Sequence, residues 1–138
     1  MMRIFFAHPK SMPDDEIDWW SREIKRLLTE GAETIEVTPG RDDFQRYAMG
    51  AGSFTAWAKE VAARKDMGTG KLYYDAFVSV NAYVGRATAD ILRVALNVGT
   101  PVIYLEQDED KQSIEPHRVT QVVVDDPEDY LKGWYLDT

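Results

Sequence analysis

The sequence contains no cysteine and only two histidines, His8 and His117, which lie far apart in the chain. The absence of cysteine excludes disulfide bonds, thiol nucleophiles and thiolate metal sites. Two distant histidines are a poor basis for a zinc site. We therefore expect no bound metal and no cofactor.

Long apolar runs are missing as well. The N-terminal run Ile4-Phe5-Phe6-Ala7 is shorter than the hydrophobic region of a signal peptide. No stretch approaches the roughly 20 apolar residues that span a bilayer. The sequence thus predicts a cytoplasmic protein without a membrane partner.

Positive charge is scarce, because 16 lysine and arginine residues stand against 24 aspartate and glutamate residues, for a formal net charge of -8. This average field repels nucleic acid polymers, so we expect no duplex nucleic acid partner. A small nucleotide stays possible, since one loop can concentrate hydrogen-bond donors that the net charge hides.

The composition is that of a globular domain, with 44% hydrophobic and 29% charged residues in 138 positions. A chain of this length fits one domain, because two would each have too little interior to bury. We predict a single α/β domain over residues 1–138.

Short apolar segments alternate with helical patterns along the chain. The segments predict five strands, at residues 2–7, 34–37, 74–80, 101–105 and 119–124. Such alternation predicts right-handed crossovers and a three-layer fold with a mostly parallel five-stranded sheet. We predict a flavodoxin-like or Rossmann-like strand order, 2-1-3-4-5.

Three helices follow from the 3.6-residue period and its end signals. Pro13 and an acidic turn start the first, which Gly31 ends; Ser53 caps the second, and residues 87–98 form the third. Residues 41–49 fit either a loop or a short helix.

The C-terminal part carries weaker signals. We predict a charged surface loop at residues 107–116. After the last strand, Asp125 or Asp126 can cap a short helix that starts at Pro127 and carries Tyr130, Leu131 and Trp134.

Ligands of such sheets settle beyond the carboxyl ends of the strands where strand order reverses, here between the first and third strands. The relevant loops are His8-Pro9-Lys10-Ser11 and the segment from Asn81 through Tyr83 and Gly85 to Thr88. Helix N-termini, Lys10 and Arg86 suit an anion there, although Gly85 and Arg86 also fit a plain turn with a solvated side chain.

His8, Asp90 and the nearby aromatics each have two interpretations. His8 stands where a ligand would be met, but also suits a loop histidine bonded to backbone. Asp90 lies about 85° from the centre of its helix's apolar stripe and can rim the cleft or complement the helix dipole. A base could stack on one of the aromatics near this face, and Tyr83 is the best placed because it lies in the loop itself, whereas most of the others are more typical of the core. These aromatics are Phe5, Phe6, Tyr73, Tyr74 and Tyr83.

The chain resembles the nucleoside 2-deoxyribosyltransferase-like superfamily, which includes nucleotide N-glycosidases. The resemblance covers the first strand and the stretch from the third strand through the fourth. It is carried by Met2-Arg3-Ile4-Phe5-Phe6-Ala7, Tyr74-Asp75-Ala76-Phe77-Val78-Ser79-Val80, and Val84-Gly85-Arg86-Ala87-Thr88 through Ala95-Leu96-Asn97-Val98-Gly99-Thr100-Pro101-Val102.

The resemblance implies a catalytic glutamate on the third helix and an acidic residue in the loop before it. Ile91 stands at the glutamate's place, with Asp90 one residue away and Asn81 near the loop acid's place. The implied roles are Asp90 as nucleophile or electrostatic stabiliser and His8 or Asn81 as the group that orients sugar or base, with Arg86, Lys10 and the helix amides holding a 5′-phosphate. Together with the loop positions, the predicted substrate-binding residues are Phe6, Lys10, Ser11, Asn81, Tyr83, Gly85, Arg86 and Thr88.

Two alternatives from other classes remain. A non-catalytic nucleotide-binding or sequestering protein would explain Ile91 directly. An interaction domain would use the acidic surface with Trp134 and Tyr135 to contact another protein or a second copy in a homo-oligomer.

Overall fold

The computed structural model describes most of the chain. It describes residues 1–29, 31, 34–51, 53–81, 85–108, 110, 113–122 and 134–137, of which 49–51 and 134–137 are described by their backbone alone.

One twisted sheet organises the fold. Its strands are β1 (Met2–Ala7), β2 (Ile35–Pro39), β3 (Ala76–Val80), β4 (Val102–Gln107), β5 (Ile114–Val122) and β6 (Trp134–Asp137), in the order β2-β1-β3-β4-β5-β6. The first four strands in this order are parallel to one another. The predicted α/β class, mostly parallel sheet and order 2-1-3-4-5 are confirmed, and a sixth strand extends the edge.

The far edge of the sheet is antiparallel. β4 and β5 form a hairpin in which Leu105 faces Pro116 and Gln107 faces Ile114. The prediction of a loop over residues 107–116 was therefore wrong at both ends. A connection this short cannot hold the crossover that a parallel pair needs, so the chain turns back on itself.

The last described segment also differs from expectation. Trp134 was predicted on a short helix, but it begins β6, where it pairs with Val122 of β5. Strand pairing at this point satisfies backbone groups along the open edge of β5. The start of the predicted helix at Pro127 lies outside the described residues.

In the described parts of the connections between the parallel strands there are four helices. They are α1 (Asp14–Leu28), α2 (Gly40–Ala51), α3 (Phe54–Val61) and α4 (Arg86–Asn97). Segment 41–49, which the sequence left open, is thus helical. Ser53 caps α3 as predicted, its hydroxyl accepting the Ala56 N–H at 3.1 Å.

The helices cover the two faces of the sheet unequally, giving three layers. α1 packs through Ile17 and Ile24 against a cluster that includes Phe6 and Val78. The other cluster joins α2, α3 and α4 to the opposite face of the sheet. Within the residues that the structure describes, no helix combines the length and apolarity required to cross a membrane.

Candidate functional site

The candidate site is the region at the carboxyl edge of the sheet between the loops after β1 and β3, which we call the crevice. The two strands are parallel neighbours with Ala7 paired to Ser79, so the loops that leave them emerge side by side at the carboxyl edge of the sheet. β2 lies on one side of this pair and β4 on the other. This is the point at which strand order reverses, where ligands of open α/β sheets bind.

His8 fastens the loop after β1 to the start of α2. Its Nε2 accepts the Arg41 backbone N–H at 3.1 Å, so the proton of the neutral ring sits on Nδ1, which donates to the Pro9 carbonyl at 2.8 Å. Burial lowers the pKa of His8. Both ring nitrogens therefore make hydrogen bonds to backbone groups, as expected if His8 is a loop histidine bonded to backbone.

Arg41 is a residue of the crevice that the sequence analysis missed. Its guanidinium pairs with Asp14 at the start of α1 and, at 3.3 Å, with Asp42. It therefore links the N-termini of two helices across the loop after β1. The signal in the sequence was Thr38-Pro39-Gly40 at a strand end, which places the next residue on the same edge as His8.

Gly40 allows α2 to start close to the sheet. A Cβ at this position would lie 3.3 Å from Cζ of Phe5 and 3.5 Å from the carbonyl oxygen of Phe6. Phe5 is 1% exposed and has little room to move. A glycine is therefore what brings the first N–H groups of α2 to the crevice.

Lys10 and Phe54 form a second contact across the edge. The Lys10 ammonium lies 4.0 Å from the centroid of the Phe54 ring, and the ring is 36% exposed. The start of α3 thus adjoins the loop after β1. Ser11, next in that loop, is exposed.

The loop after β3 is described only at its ends, and Tyr83 lies outside the described residues. Asn81 has the left-handed φ of 52°. Its backbone N–H donates to the Leu105 carbonyl at 3.0 Å, and its Oδ1 accepts the Gln107 N–H at 3.1 Å. The Asn81 side chain thus extends the pairing between β3 and β4.

The residues that open α4 differ in exposure. Gly85 and Thr88 are buried, whereas Arg86 is exposed at the first turn. Gly85 has an extended backbone with φ of -75°, so it caps the helix without needing a left-handed conformation. Of the predicted phosphate ligands, Lys10 and Arg86 are the exposed cations.

Phe6, Asp90 and Ile91 have distinct positions. Phe6 is entirely buried, with its ring 5.3 Å from that of His8, so it packs in the core and presents no surface to solvent. Ile91 is 2% exposed in the core. The Asp90 side chain is 30% exposed and lies 3.9 Å from Arg93, so its carboxylate is accessible to solvent.

A buried carboxylate, Asp43, was not singled out from the sequence. It accepts hydrogen bonds from the Trp57 indole at 2.8 Å, from Arg64 at 2.6 and 3.0 Å, and from the Tyr74 hydroxyl. Burial, followed by the adjacent carboxylate, raises the pKa of Tyr74. Because so many donors already saturate Asp43, we interpret it as structural.

No group of three or more histidine, aspartate or glutamate side chains within the described part of the chain is arranged to hold a metal ion. No protein-family model, curated protein or solved structure matches the chain. These comparisons therefore assign no family to the chain.

Proposed function

We propose that the protein binds a small nucleoside or nucleotide at the carboxyl edge of its sheet, in the crevice between the loops after β1 and β3. One observation carries the proposal. The β1–α1, β2–α2 and β3–α4 turns all emerge at this edge, around the point where strand order reverses.

Two kinds of group support an anionic ligand in the crevice. The N-termini of α1, α2 and α4 lie at this edge, and helix N-termini carry partial positive charge and N–H groups without partners inside the helix, although the Arg41 N–H of α2 is bonded to His8. Lys10 and Arg86 are exposed cations on the two flanking loops. A guanidinium can bind phosphate through two parallel hydrogen bonds, so Arg86 is the phosphate ligand we favour.

We further propose that the protein cleaves the ligand's N-glycosidic bond, with Asp90 as the nucleophile. Its carboxylate would bond to the anomeric carbon as the C–N bond breaks, the base leaving with the electron pair. Water would then release the sugar, as in retaining glycosidases. His8 and Asn81 are engaged with backbone groups, so the catalytic step depends on Asp90 more than on either of them.

The test for binding compares two arginine substitutions of equal charge. We expect Arg86→Gln to weaken binding of deoxynucleoside 5′-monophosphates roughly tenfold, because it removes a charge-assisted contact, and to leave deoxynucleoside binding unchanged. Arg22→Gln, an exposed position in the middle of α1, is the control and should alter neither. Binding is measured by titration calorimetry, and equal effects of the two variants would contradict the assignment.

The test for catalysis follows the free base by chromatography after incubation with the four deoxynucleosides and their monophosphates. Base release that Asp90→Asn abolishes supports the transferase or N-glycosidase reaction. Ligand binding without base release instead identifies a non-catalytic nucleotide-binding protein, which the buried Ile91 at the expected glutamate position favours.

A further inference from the structure

The crevice contains a cation that is already paired. Arg41 stands at the carboxyl edge, yet its guanidinium is held by Asp14 and Asp42 and its backbone N–H by His8. A phosphate that used this guanidinium would have to displace carboxylates from it. Arg41 therefore adds less to anion binding than its position suggests.

The other charges around the crevice also weaken the binding of highly charged anions. Among the described residues, the cations at this edge are Lys10, Arg41 and Arg86, and the first turns of α1 and α2 add the exposed carboxylates Asp14, Asp15, Glu16 and Asp42. Asp90 is left out of this count together with Arg93, which lies 3.9 Å from it and offsets its charge. Three cations against four carboxylates leave the rim slightly negative. Asp43 is not counted, because Arg64 neutralises it in the interior.

This balance of charges discriminates between ligands that carry different numbers of phosphate groups. Lys10 and Arg86 can neutralise one phosphate group. A triphosphate brings several more negative charges within the Debye length of about 8 Å, where the carboxylates repel them. An uncharged nucleoside has no phosphate to be repelled.

Building on the proposed function, we propose that the Asp14–Arg41 ion pair sets ligand class, restricting the crevice to nucleosides and monophosphates. Asp14 carries this role because it neutralises Arg41 from another helix. Its side chain is 85% exposed and provides no cap hydrogen bond, since Pro13 precedes α1. It can thus be replaced without disturbing the core.

The experiment compares Asp14→Asn with Asp18→Asn. Asp18 lies one turn further along α1, is also exposed and does not pair with Arg41, so both variants lose one negative charge from the same helix. Titrations use deoxyadenosine, its 5′-monophosphate and its 5′-triphosphate without divalent cations, and are repeated with the other three bases.

We expect the unmodified protein to bind the monophosphate more tightly than the triphosphate. Asp14→Asn should strengthen triphosphate binding roughly fivefold, as release of an exposed ion pair allows, and leave nucleoside binding unchanged. Asp18→Asn should produce a markedly smaller gain.

Two results would overturn the inference while the proposed function stands: equal gains in the two variants, or a triphosphate that already binds the unmodified protein as tightly as the monophosphate. If none of the three ligand forms binds with any base, the proposed function itself fails, and this inference fails with it.

Discussion

At the scale of single residues, His8 shows how one side chain shapes the crevice. Its ring accepts a backbone N–H from α2 and donates to the carbonyl of its own neighbour, Pro9. Protonation would turn Nε2 from an acceptor into an N–H donor, which would then face the Arg41 backbone N–H, also a donor. The contact between the loop after β1 and α2 therefore requires a neutral imidazole.

This requirement gives a pH dependence of stability. The folded pKa of His8 lies below its ordinary value of 6.5, so the unfolded chain binds the proton more tightly. The stability due to the neutral ring is present above pH 6.5 and is lost as pH falls toward the folded pKa. We therefore expect the free energy of unfolding to decrease as the pH falls below 6.5.

Urea titrations of two variants isolate this effect. His8→Gln should flatten the decrease, because Gln does not titrate, while His117→Gln, which removes the other histidine of the chain, should retain it. A His8→Gln protein that loses stability with acid as steeply as the unmodified one would contradict the role given to His8.

The sequence predicted part of the crevice and missed part. The positions of His8 at a strand end and of Arg86 at a helix start follow from local patterns, and both lie at the carboxyl edge. The partner of His8 is 33 residues away in the chain. A hydrogen bond over that separation exists only after the sheet has formed, so the local pattern Thr38-Pro39-Gly40 could place Arg41 at this edge but could not reveal its contact with His8.

At the scale of elements, the Asp43 network joins α2 to α3 and to the segment before β3. Trp57 lies on α3, Arg64 follows it, and Tyr74 precedes β3. The Arg64 guanidinium also lies 3.8 Å from the Tyr47 ring centroid on α2. One carboxylate thereby fixes the orientation of two helices that flank the crevice.

We expect Asp43→Asn to lower the free energy of unfolding by about 3 kcal/mol, because it leaves the largely buried Arg64 guanidinium with only the exposed Glu60 carboxylate as a counter-charge. Asp42→Asn, at the exposed neighbouring position, should change it by less than about 0.5 kcal/mol. Urea denaturation measures both. Similar stabilities for the two variants would show that the network contributes little to the fold.

The elements best predicted from sequence were those with long, regular patterns. α1 and α4 have an apolar stripe with end signals, and β1 and β3 are predominantly apolar, as expected for strands that helices cover on both faces. α2 was ambiguous, since its buried contacts are few and its burial centres on Asp43 and Ala48. β5 runs antiparallel to β4 because the connection between them is short, and the pattern of apolar residues does not show the length of that connection.

At the scale of the whole molecule, the net charge of -8 disfavours anionic ligands, whereas the crevice favours them. Three helix N-termini and two exposed cations favour an anion at one edge, while the acidic surface disfavours highly charged polymers. A ligand with little charge satisfies both conditions. The position at which such a ligand binds is therefore the decisive observation for the proposed site.

The most direct test is an NMR titration of the backbone amides with deoxynucleoside 5′-monophosphates. We expect chemical-shift changes at Lys10, Arg41 and Arg86 on the carboxyl edge, and little change at Asp66 and Thr100 near the amino edge. Shifts concentrated at the amino edge, or none with any of the four bases, would contradict the account.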